Sequence, residues 1–239
     1  MCPSPTVPLA LSALAVVGLL ACHSDPVSSP SHEGTAPAQL GLGGTTVLVV
    51  DNDGADCPKA DFTTIQAAVD AAEPGSTILV CAGTYVEWVV IEKDELRVLA
   101  KGKPGDVVLD GQDVTPTGPC GPPPLPRCAG FDLQNAHDNL IEGFVVRRYH
   151  EAGIWLRLGS SGNTIRKNVT TESPHHDGIQ VLNSRENVIE HNTSFANSSA
   201  IACGVNVAGA GSVGNIVRHN ETFQNQFGIQ AAGGAANNV

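Results

Sequence analysis

The sequence predicts a parallel β-helix, an all-β solenoid with one N-terminal capping helix, on a repeated phrase, a glycine column and an amphipathic segment. The phrase runs Asn163-Thr164-Ile165-Arg166-Lys167-Asn168, then Asn187-Val188-Ile189-Glu190-His191-Asn192 and Asn215-Ile216-Val217-Arg218-His219-Asn220. A degenerate copy precedes it at Asn139-Leu140-Ile141-Glu142-Gly143-Phe144. Each copy is followed by a glycine and an aliphatic residue: Gly153-Ile154, Gly178-Ile179, Gly204-Val205 and Gly228-Ile229. The starts at 163, 187 and 215 are 24 and 28 residues apart, a period that marks stacked coils.

Inside a coil the apolar residues alternate over short patches, as in Ile154-Trp155-Leu156 and Ile179-Gln180-Val181, which is the period of a strand. Two or three such strands fit one coil, and each pairs in parallel with its copy one turn later at about 4.8 Å. The alignment places Ile141, Ile165, Ile189 and Val217 in one inward column and Ile154, Ile179, Val205 and Ile229 in another. The asparagines suit the turns, because Asn tolerates the left-handed backbone and its amide can bond the copies above and below. Asn168, Asn192, Asn197 and Asn220 also match the N-glycosylation pattern, which Asn/Ser/Thr-rich turns produce by composition.

The amphipathic segment covers residues 61–73, with apolar residues at 65, 68, 69 and 72, a capping-box pattern at Thr63 and Gln66, and a Pro74-Gly75 stop. It is expected to cover the first coil, whose edge and core would otherwise be open. Strands are expected at Thr77–Cys81, Glu87–Ile91, Leu96–Ala100 and Val107–Asp110. One domain, residues 45–239, follows, with its clear repeats over 139–239. A fifth repeat opens at Asn238-Val239, the last two residues, so the expectation is a truncated C-terminal end, and a monomer unless that open end pairs with a partner.

The chain has 239 residues, 13 Lys and Arg against 24 Asp and Glu, and a formal net charge of −11. This balance argues against nucleic acid as a partner, and it repels a uronate polymer unless a cation or a basic patch intervenes. The apolar run from Leu9 to Leu20 is too short to span a membrane and reads as the core of a signal peptide over residues 1–21. Its end, Leu19-Leu20-Ala21-Cys22, resembles the bacterial lipobox, which implies a lipidated Cys22 as the only membrane contact. A Ser/Pro/Gly/Ala-rich stretch over 22–44 reads as a tether. The expected location is the bacterial cell envelope or surface, with the outer membrane favoured and secretion as the alternative. In an exported chain Cys57 can pair with Cys81, and Cys120 with Cys128 across the Pro-rich loop, leaving Cys203 as a small buried residue.

The segment Phe62-Thr-Thr-Ile-Gln-Ala-Ala-Val-Asp-Ala-Ala and the following Pro-Gly-Ser-Thr-Ile-Leu-Val-Cys-Ala-Gly-Thr-Tyr85 resemble the opening of right-handed parallel β-helix proteins of the pectin-lyase-like superfamily. The Asn and Gly-Ile repeats resemble their later coils. The resemblance implies the right hand of the helix and, for function, polysaccharide lyases, hydrolases, esterases, uronate epimerases and NosD-like periplasmic accessories; fold does not choose among them. Ser173-Pro174-His175 is similar to the Asp-Pro-His of mannuronan epimerases with serine in place of aspartate. Asp177-Gly178 is similar to part of the polygalacturonase motif, without its paired aspartates or Gly-His-Gly.

Read across the coils from the repeat glycines, His150 falls one rung from His175 and Glu151 one rung from His176, with Ala152 and Asp177 next. A carboxylate beside an imidazole can tune a general base, and Arg147 with Tyr149 on the same corner can serve a substrate carboxylate or a proton transfer. His150, Glu151, His175, His176, Asp177, Arg147 and Tyr149 are therefore the catalytic candidates. Solvated turn residues and a metal site from His150, His175, His176 and Asp177 are the competing readings. Trp155, Gln180, Asn206 and Gln230 form an outward column that, with Arg157, suits a sugar ring and its hydroxyls. Asp51-Asn52-Asp53-Gly54-Ala55-Asp56 has the composition of a Ca2+ loop without EF-hand spacing. That makes Asp51, Asp53 and Asp56 weak metal candidates and Ca2+ the one candidate cofactor, against a plain Asx turn. The functional expectation is an exported β-helix that binds or processes a polysaccharide, uronate polymers included; as an enzyme it would be a lyase, hydrolase or epimerase. The alternatives are a surface adhesin or scaffold for another extracellular macromolecule, or a NosD-like metal or maturation accessory.

Overall fold

The computed structural model describes residues 46–111, 128–198 and 202–239; the apolar leader, Cys22, the 22–44 tether and Cys120 lie outside the described residues. Three parallel sheets run through the stack. The first contains β1 (Val47–Val50), β2 (Thr77–Val80), β5 (Arg97–Ala100), β8 (Leu140–Glu142), β11 (Thr164–Arg166), β14 (Val188–Glu190) and β17 (Ile216–Arg218), in that spatial order. The second contains β3 (Gly83–Tyr85), β6 (Val107–Asp110), β9 (Val145–Arg147), β12 (Val169–Thr171), β15 (Thr193–Phe195) and β18 (Glu221–Phe223). The third contains β4 (Val89–Ile91), β7 (Ala129–Gln134), β10 (Ala152–Arg157), β13 (Ile179–Leu182), β16 (Cys203–Ala208) and β19 (Phe227–Ala232). From β2 onward each coil contributes one strand to each sheet in turn.

Both expected columns are in register, and all their members but Val217 and Ile229, in the last coils, are fully buried; Ile229 is 51% exposed. Ile141, Ile165, Ile189 and Val217 are partners in successive strands of the first sheet, and Ile154, Ile179, Val205 and Ile229 in the third. Burying an aliphatic side chain contributes about 1.5–3 kcal/mol, so a one-residue slip, which turns each column outward, is strongly disfavoured. The repeat glycines are required by close packing. A Cβ at Gly178 would collide with Ser194 Oγ and Thr170 Oγ1 of the second sheet and with Asn197 Nδ2 of the corner that follows it.

The corners are held by asparagine ladders. Asn163 Oδ1 accepts from the backbone N and Nδ2 of Asn139, both at 3.0 Å. Asn187 does the same for Asn163 at 3.0 and 3.0 Å, and Asn215 for Asn187 at 3.0 and 3.0 Å. A second ladder links Asn168 to Asn192 at 3.0 and 3.2 Å and Asn192 to Asn220 at 2.9 and 3.0 Å. A third runs from Ser173 through Asn197 to Asn225. The residue before each second-ladder asparagine, Lys167, His191 or His219, has φ 54°, the left-handed turn that aims the amide inward. The glycosylation pattern is accounted for by these roles. Asn168, Asn192 and Asn197 are each 1% exposed, and the Asn220 amide is engaged in its ladder and donates to the Ile189 carbonyl at 2.7 Å.

The cap helix, α1 (Ile65–Ala71), is shorter than the predicted 61–73, and its N-cap is Thr64 rather than Thr63. The expected capping box does not form. The first N–H groups, of Ile65 and Gln66, donate to the Glu87 carboxylate at 2.8 and 2.9 Å, a full charge that outcompetes a neutral amide at a helix N-terminus. Gln66 instead accepts from the Val90 N–H at 2.7 Å and donates to the Val90 carbonyl, which pins the helix to β4. Ile65, Ala68, Val69 and Ala72 close the core. Cys57 and Cys81 form the expected disulfide across 24 residues, a closure that restricts the unfolded chain by about 3 kcal/mol. Cys128 is disulfide-bonded, and Cys203 is fully buried.

Removing one ladder amide tests this account. Asn187→Ala strips the acceptor from the buried Asn163 backbone N–H, so urea unfolding is expected to show a loss of about 2–3 kcal/mol; a loss below 1 kcal/mol would show that the ladder does not set stability.

Candidate functional site

The corner between the second and third sheets brings the predicted residues together. The β12-to-β13 connection is one residue longer than β9-to-β10, counted between paired strand positions, and the following glycines realign the two. The His150 and His175 rings lie 4.3 Å apart, tilted by 38°. His176 Nε2 stands 3.7 Å from Glu151 Oε1. Glu151 is buried while His176 is half-exposed, so a carboxylate lies beneath an imidazole reachable from solvent. Asp177, next in the chain, is buried; its Oδ1 accepts from the Cys203 N–H at 2.6 Å and its Oδ2 from Asn206 Nδ2 at 2.9 Å.

The outward column of the third sheet is in the predicted register. Trp155 pairs with Gln180, Gln180 with Asn206, and Asn206 with Gln230, and the column extends back to Asp132. It is not the open face that was expected: Trp155 and Gln180 are 9% exposed and Asn206 is 4% exposed. Trp155 Nε1, Gln180 Oε1 and Asn206 Oδ1 are buried without a hydrogen-bond partner among the described residues. The guanidinium of Arg157 lies 4.4 Å from the centre of the Trp155 ring, a cation–π contact that occupies one ring face and leaves the indole edge to the column. Gln230 accepts from the Cys203 thiol at 3.1 Å.

The basic residues are committed elsewhere. Arg157 binds Asp132 through Nε and Nη2, both at 2.8 Å, and Asp132 is fully buried; this pairing raises the arginine pKa further. Arg147 and Arg148 both grip Asp110, the buried neighbour of Arg147 in β6. Tyr149 departs from its expected place on the corner. Its ring is in the core and its hydroxyl donates to the Glu87 carbonyl. Burial, reinforced by the charges of Glu87 and Asp110, holds its pKa well above the usual tyrosine value. A large aromatic ring at an inward position is drawn to the core, which removes it from proton transfer at the surface.

The Asp51 loop is an Asx turn. The Asp51 carboxylate accepts from the backbone N–H groups of Asp53, Gly54, Asp56 and Cys57, and Asp53 accepts from Ala55 at 2.8 Å. Oxygens ringed by N–H donors face away from a cation's needs. Among the described residues no three His, Cys, Asp or Glu side chains converge as metal ligands. Asp110 and Asp132 were not singled out in the sequence, although the alternation Phe131-Asp132-Leu133 copies Ile154-Trp155-Leu156 and marks the column.

The family described as right handed beta helix region matches residues 126–239. The chain is a right-handed parallel β-helix. No curated protein matches it in sequence. Among solved structures, the β-helix aligns with Escherichia coli ybhc at 15% identity, over 77% of this chain and 59% of that one, with a TM-score of 0.49. It aligns with the catalytic domain of a GH87 alpha-1,3-glucanase in complex with tetrasaccharides at 15% identity, over 80% and 41%, with a TM-score of 0.49. Pectate lyase Pel9A aligns at 15% identity over 83% and 79%, with a TM-score of 0.42. The β-helix thus spans less than two thirds of the first two chains, and the likeness is one of fold alone.

Burial holds the Asp177 carboxyl above its ordinary value of 3.8, against the hydrogen bonds from Cys203 and Asn206 that lower it. The folded state therefore binds this proton more tightly than the unfolded chain does. Stability falls as pH rises from about 4 through the raised pKa, and the loss persists above it. Asp177→Asn is expected to flatten that part of the urea-midpoint profile between pH 4 and 7; a slope unchanged from the wild type would remove Asp177 as its source.

Proposed function

We propose that the chain binds a polysaccharide along the outer face of its third sheet, with Trp155, Gln180 and Asn206 as the contact residues. The supporting observation is the run of buried, unpartnered polar atoms on three successive rungs. A buried donor or acceptor without a partner costs about 1–3 kcal/mol, which a ligand rich in hydroxyls offsets. Regular spacing along the sheet suits a polymer of repeated units better than a single small molecule. Trp155 offers an N–H edge clamped by Arg157 rather than a free stacking face.

Processing is the second reading, favoured by the Glu151–His176 contact at 3.7 Å and by Asp177 on the same face. The imidazole can take a proton with Glu151 stabilising its charged form, and Asp177, whose pKa is raised, can give one up. We further propose export and anchoring through a lipidated Cys22, on the strength of the apolar run and the Leu19-Leu20-Ala21-Cys22 sequence.

Trp155→Ala and Gln180→Ala are each expected to weaken glycan binding by about tenfold or more in calorimetry; binding equal to the wild type in both would end the proposal. His176→Ala is expected to abolish new reducing or unsaturated ends while keeping glycan affinity, and product formation undiminished in that variant would leave a binding role without this acid–base pair. In cells, Cys22→Ala is expected to abolish incorporation of labelled fatty acid; labelling that survives the substitution would place the anchor elsewhere.

A further inference from the structure

We infer that the polysaccharide taken by the third-sheet face is uncharged, a polymer of neutral hexoses rather than of uronates; this rests on the glycan reading above. Three independent observations lead to it. Arg157, the arginine on the face, is neutralised by the fully buried Asp132, while Arg147 and Arg148 share Asp110 at the second sheet. A carboxylate on the ligand would have to break one of these pairs and strand a buried Asp, which is costlier than leaving the pair intact.

The atoms aimed at the ligand are mainly acceptors. Asn206 is oriented by its Nδ2 donation to the Asp177 carboxylate, so its Oδ1 faces the column, where Gln180 Oε1 joins it. Amide oxygens need donors. Sugar hydroxyls supply them, whereas an ionised carboxylate only accepts and meets oxygen with oxygen. Trp155 Nε1 is the one donor among these three atoms, and a hydroxyl satisfies it as well as the two oxygens.

Carboxyl groups outnumber arginines at the face. Glu151 and Asp177 are buried at adjacent rungs, and the chain carries a formal net charge of −11. His150, His175 and His176 lie on the neighbouring corner, His176 beside the Glu151 carboxylate. A uronate polymer, with a negative charge on every unit, is repelled along the whole column, whereas a neutral glucan or mannan is not.

The test compares the full chain's affinity at pH 7.5 for neutral glucan and mannan oligosaccharides with that for oligogalacturonate and oligomannuronate of the same length. Neutral oligosaccharides are expected to bind at least about tenfold more tightly, with an affinity that changes less than twofold between about 50 and 500 mM salt, since no ion pair is made. Uronates binding as well as or better than neutral sugars would overturn the inference and leave the glycan reading standing. Silence across all four ligands would overturn both. Asp132→Asn releases the Arg157 charge, and is expected to raise oligogalacturonate affinity several-fold relative to the neutral ligand. An unchanged ratio in the folded variant would remove Asp132 as the neutralising group, and if that variant does not fold, the wild-type comparison decides alone.

Discussion

The asparagine ladder is the interaction on which the remainder of this β-helix rests. Each amide oxygen takes both the main-chain and side-chain N–H of the asparagine one coil away, as Asn187 does for Asn163, while each amide nitrogen reaches a carbonyl of the preceding corner, as Asn163 does at Ala136. Corner backbone groups that a sheet leaves unpaired are thereby satisfied in the interior, where an orphaned N–H is costly. The ladder also fixes translation along the stack. Once Asn163, Asn187 and Asn215 are superposed, every strand between them is delivered to its partner in register.

That register organises the chemistry. Outward residues of the third sheet, otherwise unrelated in sequence, become a column with one member per coil, from Asp132 through Trp155, Gln180 and Asn206 to Gln230. Charge is arranged by the same geometry. Asp110 pairs along its sheet with Arg147 and also takes Arg148, and Glu142 accepts from Arg166 and Lys167 of the next coil. The acidic surplus of the composition therefore does not leave its few cations free beside the column.

How much of this the sequence carried depended on distance from the repeats. The His150–His175 and Glu151–His176 contacts and the Trp155 column were legible because the glycine of each coil fixes what lies a few residues on either side. The arginine partners were not, since Asp110 and Asp132 belong to coils before Asn139 that lack the Asn phrase. The fate of Tyr149 was hidden for another reason: alternation breaks down at corners, so sequence spacing does not say whether a corner side chain turns in or out. Helix capping was misread because the capping carboxylate, Glu87, stands 22 residues from Ile65, beyond any local motif.

The uneven period has a consequence for how such a scaffold can change. The ladder steps lengthen from 24 residues between Asn163 and Asn187 to 28 between Asn187 and Asn215, yet Ile179 still meets Val205 and Ile189 still meets Val217. The added residues are absorbed entirely by corners. Corner length and strand order are thus independent variables in this architecture: the chain between β15 and β16 can lengthen while Ile179 still meets Val205.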